Sequence, residues 1–201
     1  VAQWYYENMT PNDSFFALLY MNLPVYASRY RPEDRDRILK EYAERIGDYS
    51  RKMDMDGLEI YNGGSGEPSP VMPKTFAYFV NGFKNLNYIF TDLGRHSNIT
   101  PENANTMMDG TAVFHTLTNF RVWTTSEEAQ ARTMDSENEW LLGEIEDNSP
   151  KTTPGFMSTM AISWNYYPTW LKNLQTKLPP RYVVVSPDEL ARLYRESRKD
   201  Q

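Results

Sequence analysis

The chain has 201 residues, a formal net charge of -6 and a pI near 5.0, and it lacks the basic stripe that a sequence-independent nucleic-acid binder needs to neutralise phosphates. Zero Cys removes disulfides, thiolate nucleophiles and Cys-ligated zinc, while leaving the compartment open. No run approaches the roughly 18 apolar residues of a membrane span, and the N-terminus lacks the basic and apolar regions of a leader peptide.

This length suits one domain, or part of a larger one. In chain order, Val1 to Met9 reads as a short helix closed by the turn cluster Thr10, Pro11, Asn12 and Asp13. Ser14 to Met21 is an apolar run that suits a strand, and it leads into an irregular tip up to Arg29. From Pro32 the helix signal is strong: Pro at the first turn, Glu33 and Asp34 behind it, then Ile38, Leu39, Tyr42, Ala43, Ile46, Tyr49 and Met53 at helical spacing. Gly57 to Tyr61 is a strand followed by a Gly/Pro/Ser loop. Asn87 to Phe90 is extended, with a polar tip and a short helix after it. Ala112 to Leu117 carries the β-branched and aromatic residues of a strand, and Ser126 caps an acidic helix running to about Glu146.

Phe156 to Trp164 reads as the next strand, with Asn165 to Tyr167 at its tip and a helix carrying Trp170, Leu171, Leu174 and Leu178. Tyr182 to Val185 reads as the last strand. Ser186, Pro187 and Glu189 then supply a cap, a first helical position and a capping-box spacing. Six strands alternating with helices give an α/β fold with a parallel sheet, and in such sheets ligands sit at the carboxyl ends of the strands. A closed (β/α) barrel takes about 250 residues. The expectation is therefore an open sheet, or the C-terminal part of a TIM-like (β/α) barrel.

Glycosidic bond cleavage generally uses two carboxylates, one as acid and one as base or nucleophile. Glu59, in the second strand, and Asp92, just past the third, are the acids best placed at strand tips. The alternative for each is a helix cap or a salt-bridge partner. Two histidines, His96 and His115, are too few for a His-rich metal site; a mixed site of Asp92 and His96, four apart, is the most the chain offers, but Leu93, Gly94 and Arg95 between them read as a loop, so no metal is expected, and no cofactor either. His115 lies within a strand, where it serves either as a core residue or as a proton donor or sugar partner. Asn62 and His96 stand at neighbouring tips. Trp164, Asn165, Tyr166 and Tyr167 combine stacking rings with an amide directly after a strand, which suits a sugar and equally suits the edge of a core. Gly63, Gly64 and Gly66 do not make a phosphate loop, because Pro68, Pro70 and Pro73 remove the amides a phosphate would need.

The segment from Trp4 to Tyr30, with its aromatic start, its Thr10-Pro11-Asn12-Asp13 turn and the following Phe15, resembles the signature region of the GxGYxYP family. The closing segments, Pro154 to Leu174 and Lys177 to Ser197, resemble the end of the same family, where a Pro-Phe strand ends in Trp and the last strand enters a Pro-Asp-x-Leu helix. The resemblance implies a carbohydrate-related protein of bacterial polysaccharide-degrading systems, secreted or periplasmic, that acts on glycans. Glu59 and Asp92 would be the acids, with Tyr26, Asn62, His96, His115, Trp164, Asn165 and Tyr166 lining the sugar site.

Counting from Asp13, the signature falls on Met21, Asn22, Leu23, Pro24, Val25, Tyr26 and Ala27, so only Tyr26 survives. Met21 and Leu23 cannot supply the positive φ or close approach of the family's glycines. Family members carry further strands before this region, so the resemblance also implies a preceding region or a partner chain that completes the barrel. A non-catalytic module that binds glycan or protein on the same fold is the competing expectation.

Overall fold

The computed structural model of the protein describes residues 4, 7–8, 10, 16–19, 31–53, 55–61, 83, 85–92, 100–116, 118–119, 134–160 and 168–199. The elements are β1 (Phe16–Leu19), α1 (Pro32–Met53), β2 (Gly57–Tyr61), β3 (Tyr88–Asp92), β4 (Asn105–Met108), β5 (Thr111–His115), β6 (Thr118–Asn119), α2 (Met134–Asp147), β7 (Thr159–Met160), α3 (Pro168–Lys177) and α4 (Pro187–Lys199).

The main sheet has five strands in the order β1-β2-β3-β5-β4, with β1, β2, β3 and β5 parallel and β4 antiparallel at the edge. Among the described residues this sheet is open. A parallel strand pair, β6 with β7, lies beyond β5. Both faces of the main sheet are buried, as parallel sheets require. One face carries Tyr88, Ala112 and Phe114, which pack on Ala191 and Tyr194 of α4. The other carries Leu58, Ile89 and Val113, all fully buried. A second cluster joins Leu141 and Ile145 of α2 to Leu174 of α3.

α1 begins at Pro32 and has Glu33 and Asp34 in its first turn and Arg51 and Lys52 in its last, matching the helix dipole at both ends. It turns the small residues Ala43, Gly47 and Ser50 inward, whereas Tyr49 of the expected apolar stripe is half exposed. In α4, Glu189 N donates to Ser186 Oγ at 3.3 Å, the cap expected from the sequence.

Three expected elements differ. The short helix placed before Ala112 is a β4-β5 hairpin, turned by Asp109 (φ 48°) and Gly110 (φ 83°), the two positive φ values that an Asp-Gly hairpin turn uses. Phe156 to Ser158 lies outside regular structure and only Thr159–Met160 is strand, with residues 161–164 outside the described residues. Asn105 Nδ2 donates to Phe156 O at 2.6 Å and Thr116 Oγ1 meets Ser158 Oγ at 3.0 Å, so side chains take over the pairing there.

Tyr182 to Val185 is not a strand: Val183 and Val184 are 80% and 61% exposed. Its first residue is held elsewhere. Tyr182 N donates to Pro179 O at 2.9 Å, the Tyr182 hydroxyl meets Ser149 Oγ at 3.0 Å, and no described strand lies beside the valines.

Candidate functional site

The carboxyl ends of β1, β2, β3 and β5 form one edge, and the strand register fixes which positions meet there. Leu19, Ile60, Thr91 and His115 make one continuous row across the four strands. Leu18, Glu59, Phe90 and Phe114 make the row below it. Above, Tyr61 stands opposite Asp92.

Side chains alternate between faces along a strand, so neighbouring rows belong to opposite faces. Glu59 and Asp92 therefore occupy positions on one face, the face of Phe90 and Phe114. Asp92 lies two residues beyond Phe90, the partner of Glu59. With strands about 4.8 Å apart and about 3.3 Å of rise per residue, the two Cα positions are about 8 Å apart. His115 belongs to the other face. The three residues thus share an edge without sharing a face.

The Phe90 ring stacks on Phe114 at 5.5 Å between centroids, and Phe114 meets Tyr194 at 5.4 Å, so an aromatic column runs from the Glu59 row to α4. Aromatic pairs of this geometry add stiffness beyond the area they bury.

His115 closes β5 and is largely buried. Its backbone N–H donates to Ala104 O at 2.9 Å. Its Nδ1 is buried and receives no partner from the described residues. Burial pushes its pKa down to about 4, so the imidazole is neutral near pH 7 and its proton-free nitrogen can accept a hydrogen bond from a hydroxyl. Because the ring binds its proton less tightly in the fold than in the open chain, stability is complete above the ordinary histidine value of about 6.5 and falls with acidification below it. Allowing for partial exposure, His115 should cost the fold about 1 to 2 kcal/mol between pH 7 and pH 5. Thermal unfolding of a His115→Leu variant at both pH values checks this: the variant should lose that share of the acid sensitivity.

Of the other expected site residues, Tyr26, Asn62, His96, Trp164, Asn165 and Tyr166 lie outside the described residues, so the register unites Glu59, Asp92 and His115 at the edge and carries no other. Sequence reasoning passed over two buried polar residues of α2, Glu137 and Asn138, each 3% exposed. The acidic run from Asp135 to Glu139 reads as a solvated helix face, and nothing in its spacing marks two of its members as buried. It also passed over Asp56, whose position before β2 was visible but whose neighbours were not. Among the described residues, no group of three or more His, Cys, Asp or Glu is placed to hold a metal ion, and no helix is long and apolar enough to cross a membrane.

The family model described as "GxGYxYP putative glycoside hydrolase C-terminal domain" matches residues 1–195. The chain belongs to the GxGYxYP family. No curated protein and no solved structure matches it. The match spans the whole described sheet, so the open edge of β1, β2, β3 and β5 is an edge of the GxGYxYP C-terminal domain itself. The family's name is that of a glycoside hydrolase domain and specifies neither a substrate nor a residue.

Proposed function

We propose that this GxGYxYP domain acts on glycans at the carboxyl edge of its parallel strands, hydrolysing glycosidic bonds with Glu59 and Asp92 as the acid pair. The observation that supports this most is their register. Their positions lie on adjacent strands and on one face, with Cα atoms about 8 Å apart, a backbone spacing compatible with the roughly 5 to 10 Å between carboxyl groups that glycosidases use. One carboxyl in its acid form would protonate the leaving oxygen, and the other would act as base or nucleophile. Tyr26, Asn62, His96, Trp164, Asn165 and Tyr166 would contribute stacking and hydrogen bonds to the sugar, with neutral His115 at the same edge. A barrel closed by a preceding region or a partner chain, and a secreted or periplasmic location, belong to the same reading and rest on the family resemblance.

The test is reducing-sugar release from a panel of polysaccharides, followed by Glu59→Gln and Asp92→Asn on whichever substrate is cleaved. Each variant should lose about 100- to 10,000-fold in turnover, the range for removing a general acid or base. Full turnover in both would overturn the assignment.

A second reading, a non-catalytic glycan- or protein-binding module, is favoured by the exposed pair Val183 and Val184 and by the loss of the signature glycines at Met21 to Ala27. Glycan binding without any bond cleavage would select it.

A further inference from the structure

The two carboxyl positions at the candidate site stand in unlike surroundings. In register, Glu59 lies between Leu18 of β1 and Phe90 of β3, and the next position along that row is Phe114. Phe90 and Phe114 stack at 5.5 Å, and Phe114 is fully buried. The row is therefore apolar on both sides of Glu59. Two residues further along β3, Asp92 stands beside Tyr61 of β2. On its other side, the pairing of Thr91 with His115 carries forward to the next residue of each strand and sets Asp92 beside Thr116. Thr116 is 9% exposed, and its Oγ1 lies 3.0 Å from Ser158 Oγ, a partner 42 positions away.

Each hydroxyl has a single hydrogen to donate. When Ser158 donates to Thr116, the Thr116 hydrogen remains available to a further acceptor, and strand spacing sets the Thr116 and Asp92 backbones about 5 Å apart. We propose that these surroundings fix the roles of the pair: Glu59 is the proton donor, Asp92 works as the carboxylate, and Thr116, backed by Ser158, is the positioning residue that keeps Asp92 ionised. The inference rests on the hydrolase reading above, which leaves the two roles open.

The physical basis is the contrast between burial and hydrogen bonding. A carboxyl set among apolar groups keeps its proton because burial penalises the charged form, whereas one that accepts hydrogen bonds releases it. Among the described residues, Glu59 and Asp92 are the two charged positions that the strands of the main sheet give to this face. Their mutual repulsion widens the split, since the first to ionise hinders the second. α4, which covers the face, carries Arg192 between Glu189 and Glu196, Arg195 on Asn87 O and Arg198 on the Tyr194 hydroxyl. Asp188 and Lys199 are its other charged residues. In the reaction, the bond from the anomeric carbon to the leaving oxygen breaks with its electron pair on that oxygen, which takes the Glu59 proton. Asp92 supplies the incoming pair, directly or by taking a proton from the attacking water.

A carbon-13 NMR titration of the side-chain carboxyls, assigned through bonds, tests the roles without a substrate. Glu59 should hold its proton about tenfold or more tightly than Asp92. Thr116→Val should make Asp92 hold its proton about threefold or more tightly, and Thr116→Ser, which keeps the hydroxyl, should restore the parent value. Asp92 holding its proton as tightly as Glu59, or an Asp92 titration that a folded Thr116→Val leaves unmoved, overturns the proposal. Should Thr116→Val not fold, the order of the two titrations in the parent decides. On a substrate that is cleaved, Glu59→Gln should lose about tenfold or less on a 4-nitrophenyl glycoside, whose leaving group needs no proton, while Asp92→Asn loses as much there as on the polysaccharide. The reverse pattern overturns the roles and leaves the hydrolase reading standing, whereas full turnover in both variants removes that reading itself.

Discussion

Replacing Phe114 by alanine is expected to destabilise the fold by about 3 to 5 kcal/mol, the usual cost of emptying a fully buried aromatic site. Phe114 has no exposed surface and contacts Phe90 of the neighbouring β3 and Tyr194 of α4. Its removal leaves a void between sheet and helix that neither can close, because the backbone of β5 is pinned by β3 on one side and β4 on the other. Set against the total stability of about 5 to 15 kcal/mol expected of a domain, the loss is a large fraction. A urea titration should show a much lower midpoint with an unchanged slope. A loss below about 1 kcal/mol would mean that α4 does not pack on this sheet as described.

The second large effect is expected at Gly57, where the requirement is space. A Cβ added there would fall inside the ring of Tyr88, the fully buried residue directly opposite it on β3. The ring has nowhere to go, since Ala112 flanks it in the next strand and α4 covers it. Gly57→Ala should therefore cost about 2 to 3 kcal/mol through overpacking, despite being the smallest possible addition. The cause can be separated from a backbone effect. Combining it with Tyr88→Leu should yield a double mutant at least about 1 kcal/mol more stable than the sum of the two single losses implies, and strict additivity would reject the steric explanation.

Much of the scaffold could be read from local sequence. α1 and α4 announced themselves through Pro32 with Glu33 and Asp34, and through Ser186, Pro187 and Glu189, because caps and dipole partners act within one turn and need no distant neighbour. β2 and β3 were legible for a similar reason: short apolar runs in the right lengths are what a sheet buried on both faces selects. The hairpin at Asp109-Gly110 was also written locally, as a dipeptide suited to two positive φ values, and it was read as a helix because Met107 and Met108 before it carry no strand signal.

What failed elsewhere failed for want of partners. Tyr182 to Val185 has the composition of a strand, yet strand formation needs a neighbouring edge, and its valines find none among the described residues. The opposite holds for Asp56: its partner Asn87 comes from 31 positions away, and only the pairing of β2 with β3 brings them together.

The sequence by itself therefore determined the α/β class, the starts of α1 and α4, the family resemblance, and the nomination of Glu59 and Asp92 near strand ends and of His115 within a strand, all consequences of short-range chemistry or of residue pattern. Tertiary structure alone decided the strand order, the place of the hairpin at the far edge, and the division of the candidates between faces. A register is a relation between strands, and moving it by one residue would transfer Glu59 to the face of His115.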